Sequence, residues 1–470
     1  MRKACLIAVM SVCWMFFTVS PSCSMPDDLT FTGDLRLRLR FVGSSEESPV
    51  FGTYGESLNR GFAQRHRFLL EANYPITNSV TVGGRIRVSN EDDDVLRSGP
   101  EYLSSKFGSA FAMYETPSVS GRFGFYDIDY TPLTLMRWDV GDDPEGGGGG
   151  CAVCPGTPGV AGTILGESLE ELGPVLTFEG LKVDIFPSDL IGCNAFFASS
   201  NILGESYDVL TCGGRLKLTR YSRHASSLLN VSLIAMRSEE DKRSRERDYV
   251  SNPKPFRNTV LGVAWDIPVL PWVGLGGEWT YSDSDNQTDR QPEISGNGVI
   301  STLKAKFPAG LRAEASYIYL SPNWDSYFHA LSYSYNRRGP RFRLEYECGP
   351  VLIALFGKYL TTIDPVYLPS RLDKGAVTLA YPTLSARGYL TAAQGLNLGI
   401  AAIMSGEGQE HEVPTLKTDD RRTTLLGTAT YEFRKDAYVT VEERYIMHTF
   451  KAGDDYDVSM LSLYLRAAIW

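Results

Sequence analysis

Residues 29–41, LTFTGDLRLRLRF, alternate strictly between apolar and polar side chains, and this stretch constrains the fold more than any other. One parity carries leucine and phenylalanine, whereas the other carries Arg36, Arg38 and Arg40. Because successive side chains of a β-strand point to opposite faces, the stretch predicts a strand with one apolar face and one basic face. Such a strand suits a soluble sandwich, or a membrane barrel whose apolar face meets lipid while its polar face lines a lumen.

The alternation recurs along the chain between two kinds of connection. Tight turns are predicted at residues 75–79, 115–118, 187–190, 221–226, 268–271, 307–310, 336–340, 394–395 and 434–437, and longer polar loops lie between them. This rhythm predicts an all-β fold: a single transmembrane up-and-down antiparallel β-barrel of about 16 to 20 strands, with short periplasmic turns and long extracellular loops. The count is least certain over residues 351–390. A β-propeller is disfavoured because no blade-length repeat is present.

The chain opens with two cations, an apolar run and small residues, which is the pattern of a secretory signal peptide. We assign residues 1–24 to the signal peptide and residues 25–470 to the barrel. After residue 24, no run approaches the roughly 20 apolar residues of a membrane helix. Insertion into a membrane is therefore expected through strands.

The charge balance excludes one class of partner. The chain has 46 Lys and Arg against 56 Asp and Glu, and removal of Arg2 and Lys3 with the signal peptide leaves 44 − 56 = −12. An acidic chain without basic tracts is not expected to bind nucleic acid.

Three of the eight cysteines fall in the signal peptide, and the five others have irregular spacing, which does not indicate a disulfide framework. Cys151 and Cys154 are predicted to form a small disulfide within a loop, with metal binding as the alternative. A lone C-x-x-C lacks the second ligand pair of a zinc site, so no metal site is assigned. Cys193 and Cys212 lie symmetrically about a loop and are interpreted as opposed on neighbouring strands.

Seven arginines fall on the polar parity of the first three predicted strands. They are predicted to line the pore as one basic patch, called the arginine wall below: Arg36, Arg38, Arg40, Arg65, Arg67, Arg85 and Arg87. Guanidinium groups stay charged and bind carboxylate or phosphate in a bidentate manner, so the patch is expected to attract anions. The alternative is that the arginines pair with carboxylates and brace the wall. Further inward charges of both signs on later strands leave strict anion selectivity open.

The GDLRLR stretch at residues 33–38 and the R-x-R stretch at residues 65–67 resemble the Gram-negative outer-membrane porins, in particular the phosphate-selective and alginate-export types. The resemblance implies that the loop after the fifth strand, about residues 131–173, folds into the lumen. Its candidate constriction residues are Arg137, Asp139, Asp142, Asp143 and Glu145. The alternative is a glycine-rich surface loop.

The expected function is passive diffusion of small hydrophilic solutes through the outer membrane, biased towards anions by the arginine wall. We expect no cofactor and no catalysis, because the five histidines are scattered without a local signature. Outer-membrane lipid and lipopolysaccharide are the expected surroundings, and a monomer and a homotrimer both stay open. The alternatives are an export channel for an anionic polysaccharide and a closed barrel that acts as an adhesin or scaffold through its loops.

Overall fold

The computed structural model describes residues 29–44, 61–89, 104–136, 176–200, 209–222, 227–240, 257–285, 294–328, 335–365, 378–410, 418–434, 437–449 and 456–469. These residues form 20 β-strands. In the same ranges, no helix is long and apolar enough to cross a membrane.

The strands run as follows: β1 (Thr30–Ser44), β2 (Gly61–Thr77), β3 (Val80–Ser89), β4 (Ser104–Glu115), β5 (Val119–Ile128), β6 (Leu176–Ser188), β7 (Ile191–Ser200), β8 (Val209–Ser222), β9 (Ser227–Glu240), β10 (Arg257–Leu270), β11 (Val273–Asp285), β12 (Ile294–Lys306), β13 (Leu311–Leu320), β14 (Arg337–Cys348), β15 (Val351–Thr362), β16 (Thr378–Ala393), β17 (Leu396–Glu410), β18 (Thr418–Arg434), β19 (Ala437–Thr449) and β20 (Tyr456–Ile469).

Each strand pairs antiparallel with its neighbours in the chain, and the first strand also pairs with the last. The β1–β20 register runs from Gly33 with Ile469 to Ser44 with Val458, so the sheet closes on itself. The predicted single antiparallel barrel is confirmed, and its 20 strands lie at the upper end of the expected range. Closed barrels of 16 to 18 strands already leave an aqueous channel, so a barrel of this size has room for a lumen.

The two faces of the wall differ as the alternation predicted. Outward positions are apolar and well exposed, for example Leu261 at 46%, Ile400 at 71% and Tyr431 at 53%. In β1, Phe41 lies on the exposed parity, whereas Asp34, on the parity of the arginines, is buried and faces the lumen. The outer surface is therefore a lipid-compatible belt around a more polar interior, as in integral barrels of the outer membrane.

Short turns lie at one end of the barrel and long connections at the other, which is the predicted asymmetry. One predicted turn is wrong. Residues 336–340 do not form a short turn, because Arg337 begins β14 and the turn lies instead at residues 349–350, between β14 and β15. Asn336 adopts a positive φ of 58° at the end of the preceding long connection, which explains the turn-like sequence. Val351–Thr362, within the uncertain region, is a full strand.

One junction in the wall is short. β4 pairs with β5 only from Phe111 with Gly124 to Glu115 with Ser120. Gly124 has a φ of +98°, and a Cβ there would lie 2.1 Å from the carbonyl oxygen of Ala110, so only glycine fits this approach. Beyond Gly124, β5 continues beside β6 alone, and its inward residues Tyr126 and Ile128 become fully buried. We call this junction the β4–β5 seam.

Candidate pore and its inner segments

Two connections from the long-loop end lie inside the barrel. Inner segment A comprises residues 129–136 after β5, and inner segment B comprises residues 321–328 after β13. They meet at a parallel bridge between Leu135 and Phe328, where the Met136 N–H donates to the Phe328 carbonyl oxygen at 3.0 Å. The Ser326 hydroxyl donates to the Thr134 carbonyl oxygen at 3.3 Å. The described start of the predicted inward loop, residues 131–136, is therefore within the lumen.

The wall behind the inner segments is apolar, although it faces the lumen. Tyr130 and Leu135 of segment A and Phe328 of segment B pack there as one cluster. The Phe328 ring lies edge-on to Phe178, with 5.2 Å between centroids, and Phe178 stacks on Phe196 at 5.9 Å. The other wall residues of the cluster are Tyr126, Ile128, Ala198, Ile234, Met236 and Val260. Burial of this apolar surface is what holds the segments against β5 to β10.

A second cluster fixes the other side of the segments. Leu133 and Trp324 pack with Ile300, Ile318, Leu320 and Leu360, and Met136 and Tyr381 lie against the same cluster. Trp324 is only 1% exposed, and its Nε1 donates to Thr280 Oγ1 at 2.9 Å. The indole therefore has both an apolar pocket and a partner for its one donor.

Three inward glycines make room for this packing. A Cβ at Gly296 would lie 2.3 Å from the backbone nitrogen of Trp324, and one at Gly298 would lie 2.8 Å from its Nε1. A Cβ at Gly262 would lie 2.9 Å from the Thr134 methyl group. These positions form a slot in β10 and β12 that receives the inner segments.

A buried carboxylate holds inner segment A by its backbone. Glu278, on the inward face of β11, is 3% exposed, and its Oε1 accepts a hydrogen bond from the Leu133 N–H at 2.6 Å. A hydrogen bond from a backbone N–H to a buried carboxylate is stronger than one between two neutral groups. Glu278 is therefore a side chain through which the wall fixes the tip of the segment.

Inner segment B is held mainly through Asp325. Its N–H donates to Ser282 Oγ at 2.9 Å, and its carboxylate accepts from Ser284 Oγ at 2.9 Å. Its carbonyl oxygen accepts from Asn258 Nδ2 at 2.7 Å, and Asn258 Oδ1 in turn accepts the Tyr327 N–H at 3.2 Å. Inward polar residues of β10 and β11 thus satisfy the backbone of a segment that has left its own sheet.

Tyr130 connects inner segment A to polar groups lower in the wall. Its hydroxyl donates to Asn194 Oδ1, and Asn194 Nδ2 donates to Asp184 Oδ1 at 2.6 Å. The Arg215 guanidinium lies over the Tyr130 ring, 4.9 Å from its centroid. Burial raises the pKa of the Tyr130 hydroxyl, so the hydroxyl stays protonated and can serve as the donor.

On strands far from the inner segments, the lumen wall is charged. Among the arginine wall, the register places Arg36 beside Arg67 and Arg38 beside Arg65. Arg36 also lies beside Arg466 of β20. Arg85 is the one member whose side chain the structure describes, and it binds Glu71 with Nη2 to Oε2 at 2.9 Å. For Arg85, the bracing role is therefore the observed one.

Acidic and basic groups alternate around the rest of the wall. Ion pairs on the inward face include Arg466 with Asp34, Lys182 with Asp184, Lys304 with Asp266, Arg312 with Glu345 and Glu347, Arg343 with Glu345, and Arg444 with Glu442. Their positions agree with the mixed inward charges expected from the sequence. These pairs set up local transverse fields within the lumen.

Several predicted residues lie outside the described ranges: the constriction candidates Arg137, Asp139, Asp142, Asp143 and Glu145, and the disulfide candidates Cys151 and Cys154. The pairing of Cys193 with Cys212 is wrong. The β7–β8 register places Cys193 beside Leu216 and Cys212 beside Phe197, and both thiols are free. No cluster of potential metal ligands occurs in the part of the chain that the structure describes.

Sequence reasoning missed Glu278, Trp324 and the glycine slot. A signal for them was present, because bulky apolar residues such as Phe178 and Phe196 occupy the inward parity of strands that should line water. An apolar lumen wall requires a cover, and the cover is the pair of inner segments.

Comparison with known proteins gives likenesses in overall shape. No family model matches the chain, and no curated protein matches it. Solved structures that resemble it include OpdL of Pseudomonas aeruginosa, at 12% identity over 95% of this chain and 100% of that chain, with a TM-score of 0.45. OccK3 (OpdO) of the same organism is 11% identical over 94% of this chain and 96% of its own, with a TM-score of 0.43. A loop-deletion mutant of OmpT, an outer membrane protein of Vibrio cholerae, is 13% identical over 93% and 99% of the two chains, with a TM-score of 0.36.

Proposed function

We propose that the barrel is an outer-membrane channel for passive diffusion of small hydrophilic solutes. The observation that carries this proposal is the unequal filling of the lumen. Both described inner segments pack against the wall formed by β5 to β16. The wall from β17 through β20 to β3 carries inward charged side chains that stay partly exposed, such as Glu71, Arg85 and Arg466, and neither cluster includes them. A polar passage beside the apolar packing of the two inner segments suits hydrated solutes.

We further propose that the passage is biased towards anions. The in-register arginine pairs of β1 and β2 bring like charges together on one wall. Cations at this spacing raise the local concentration of anions. The described carboxylates Asp34 and Glu71 neutralise part of this charge, so the bias is expected to be partial.

Planar-bilayer recording tests both statements. Purified protein is expected to give discrete conducting steps, and their absence would favour a closed barrel that acts as an adhesin or scaffold. In a salt gradient, the triple variant Arg36→Gln, Arg38→Gln, Arg40→Gln is expected to shift the reversal potential towards cation selectivity.

A matched triple variant controls for net charge. Arg220, Arg257 and Arg338 are exposed and lie on the outward parity, so their replacement by glutamine removes the same charge without changing the lumen. Equal shifts in the two triple variants would show that the arginine wall does not set selectivity.

A second candidate is export of an anionic polysaccharide, which the same in-register arginines favour. It predicts that polyuronate oligomers enter from the periplasmic side and block the current for long intervals. Brief or absent blocks would leave only the small-solute channel.

A further inference from the structure

The β4–β5 seam differs from the rest of the described wall because two strand edges separate there. Residues 104–110 of β4 pair with β3 alone, and residues 125–128 of β5 pair with β6 alone. Both edges lie towards the long-loop end, which is the extracellular side in this architecture. Backbone groups in a lipid-facing wall need partners, so a parted seam at this depth implies water or a ligand.

Aromatic rings lie at the seam, Phe111 and Phe123 in its paired part and Phe125 just beyond it. Phe111 faces the lumen and is buried. Phe123 lies on the outward face beside the seam and is 67% exposed. The Phe125 ring lies under the Arg85 guanidinium, 4.7 Å from ring centroid to Cζ. Aromatic side chains therefore lie on both faces of the wall beside the parted edges.

Arg122 lies on the lumen side of the seam. Its Cζ lies 3.8 Å from the centroid of the Phe111 ring, and its Nε donates to the Phe125 carbonyl oxygen at 2.7 Å. These contacts orient the guanidinium while they use only one of its donors. No carboxylate among the described residues forms an ion pair with Arg122, whereas the neighbouring Arg85 is bound to Glu71.

We propose that the β4–β5 seam is a lateral portal between the lumen and the outer leaflet for single-chain amphiphiles with an anionic head group. Arg122 binds the head group, and Phe111 and Phe123 contact the chain. This route goes beyond diffusion of hydrophilic solutes along the pore axis, because its ligand leaves or enters through the wall. The Arg122 guanidinium suits the anionic head group of such a ligand, and the adjacent aromatic rings suit its alkyl chain.

A photoreactive fatty acid tests the portal. The full chain is reconstituted in phospholipid vesicles, illuminated with dodecanoate that carries a terminal diazirine, and mapped by mass spectrometry. Labels are expected to concentrate on residues 104–128. Even labelling of all outward strands, or labelling of the lumen without the seam, would overturn the proposal.

Two comparisons test the role of the head group. Arg122→Gln is expected to reduce seam labelling about tenfold, the size of one charge-assisted hydrogen bond. The matched control Lys306→Gln removes an inward charge on β12 and should leave labelling unchanged. The neutral dodecanol analogue should label the seam of the unmodified protein as weakly as dodecanoate labels the seam of the Arg122→Gln variant. Equal labelling by acid and alcohol, or an unchanged Arg122→Gln variant with native heat-modified gel mobility, would contradict an anion site.

Discussion

Arg466 of the last strand donates a hydrogen bond from Nε to Asp34 Oδ1 of the first strand at 3.0 Å, across the junction that closes the barrel. The Asp34 side chain is 11% exposed, and the two strands meet in register around it. The charge pair therefore lies at the one strand junction of the described sheet whose two strands are not consecutive in the chain.

Asp34→Asn is expected to weaken this junction. The substitution leaves the Arg466 guanidinium facing a neutral amide in a half-buried site, which costs about 1–3 kcal/mol of unfolding free energy. Urea unfolding of the chain folded into vesicles measures the change. Asp189→Asn, in the exposed β6–β7 turn, is the control, and a loss as large in that variant would show a general effect of charge.

Glu278→Ala is expected to release the tip of inner segment A. The variant removes the acceptor of the Leu133 N–H, so the segment should move within the lumen and single-channel current should become larger and noisier. Glu278→Gln keeps an acceptor oxygen, so its single-channel current and noise should lie between those of the unmodified protein and those of Glu278→Ala. Asp283→Asn, outward and exposed on the same strand, is the control, and an unchanged current in Glu278→Ala would show that the carboxylate does not position the segment.

Gly296→Ala is expected to displace Trp324 from its slot. The added methyl group would meet the Trp324 backbone nitrogen at 2.3 Å, and backbone cannot rotate away, so a destabilisation of about 1–3 kcal/mol follows. Thermal unfolding followed by circular dichroism measures it. Gly84→Ala makes the same change in β3 where no atom lies within 4 Å, and equal melting temperatures for both variants would refute the slot.

Asn336 is expected to stabilise the wall in two separable ways. Its Oδ1 accepts the N–H groups of Ile363 and Asp364 at 3.1 and 2.8 Å, and its φ is positive. Asn336→Gly keeps the favourable backbone but loses the hydrogen bonds, whereas Asn336→Ala loses both. Alanine should therefore cost about 1 kcal/mol more unfolding free energy than glycine. The reverse order in chemical denaturation would exclude backbone strain as a contribution.

The period-two alternation was sufficient to predict the strands and their two faces, because lipid and water impose opposite demands on adjacent residues. Residues 29–41 illustrate this, since Asp34 and Phe41 lie on the expected sides. The order of tight turns and long connections was readable for the same reason. The turn prediction failed at residues 336–340, where Gly339 and Pro340 resemble a turn in sequence. They lie instead within the β14–β15 pairing, between the pair Arg338–Thr361 and the pair Arg341–Lys358.

The contacts that hold the inner segments could not be predicted from local sequence, because their partners are distant in the chain. Leu133 meets Glu278, and Thr134 meets Ser326, so neither contact can be recognised from the residues next to it in the sequence. The error with Cys193 and Cys212 has a related cause. Symmetry about a loop does not fix the register of two strands, and the actual register places Cys212 beside Phe197.

The closure of the sheet also places a demand on its assembly. Of the 20 neighbouring strand pairs, all but one join strands that are consecutive in the chain. Those pairs join strands that are close in the chain, whereas β1 and β20 must meet across the whole sequence, and loop-closure entropy grows with that separation. Until β20 pairs with β1, the sheet has two unpaired edges that can pair with other chains. Pairing of β1 with β20 removes these two edges, so the closed barrel is expected to aggregate less readily than the open sheet.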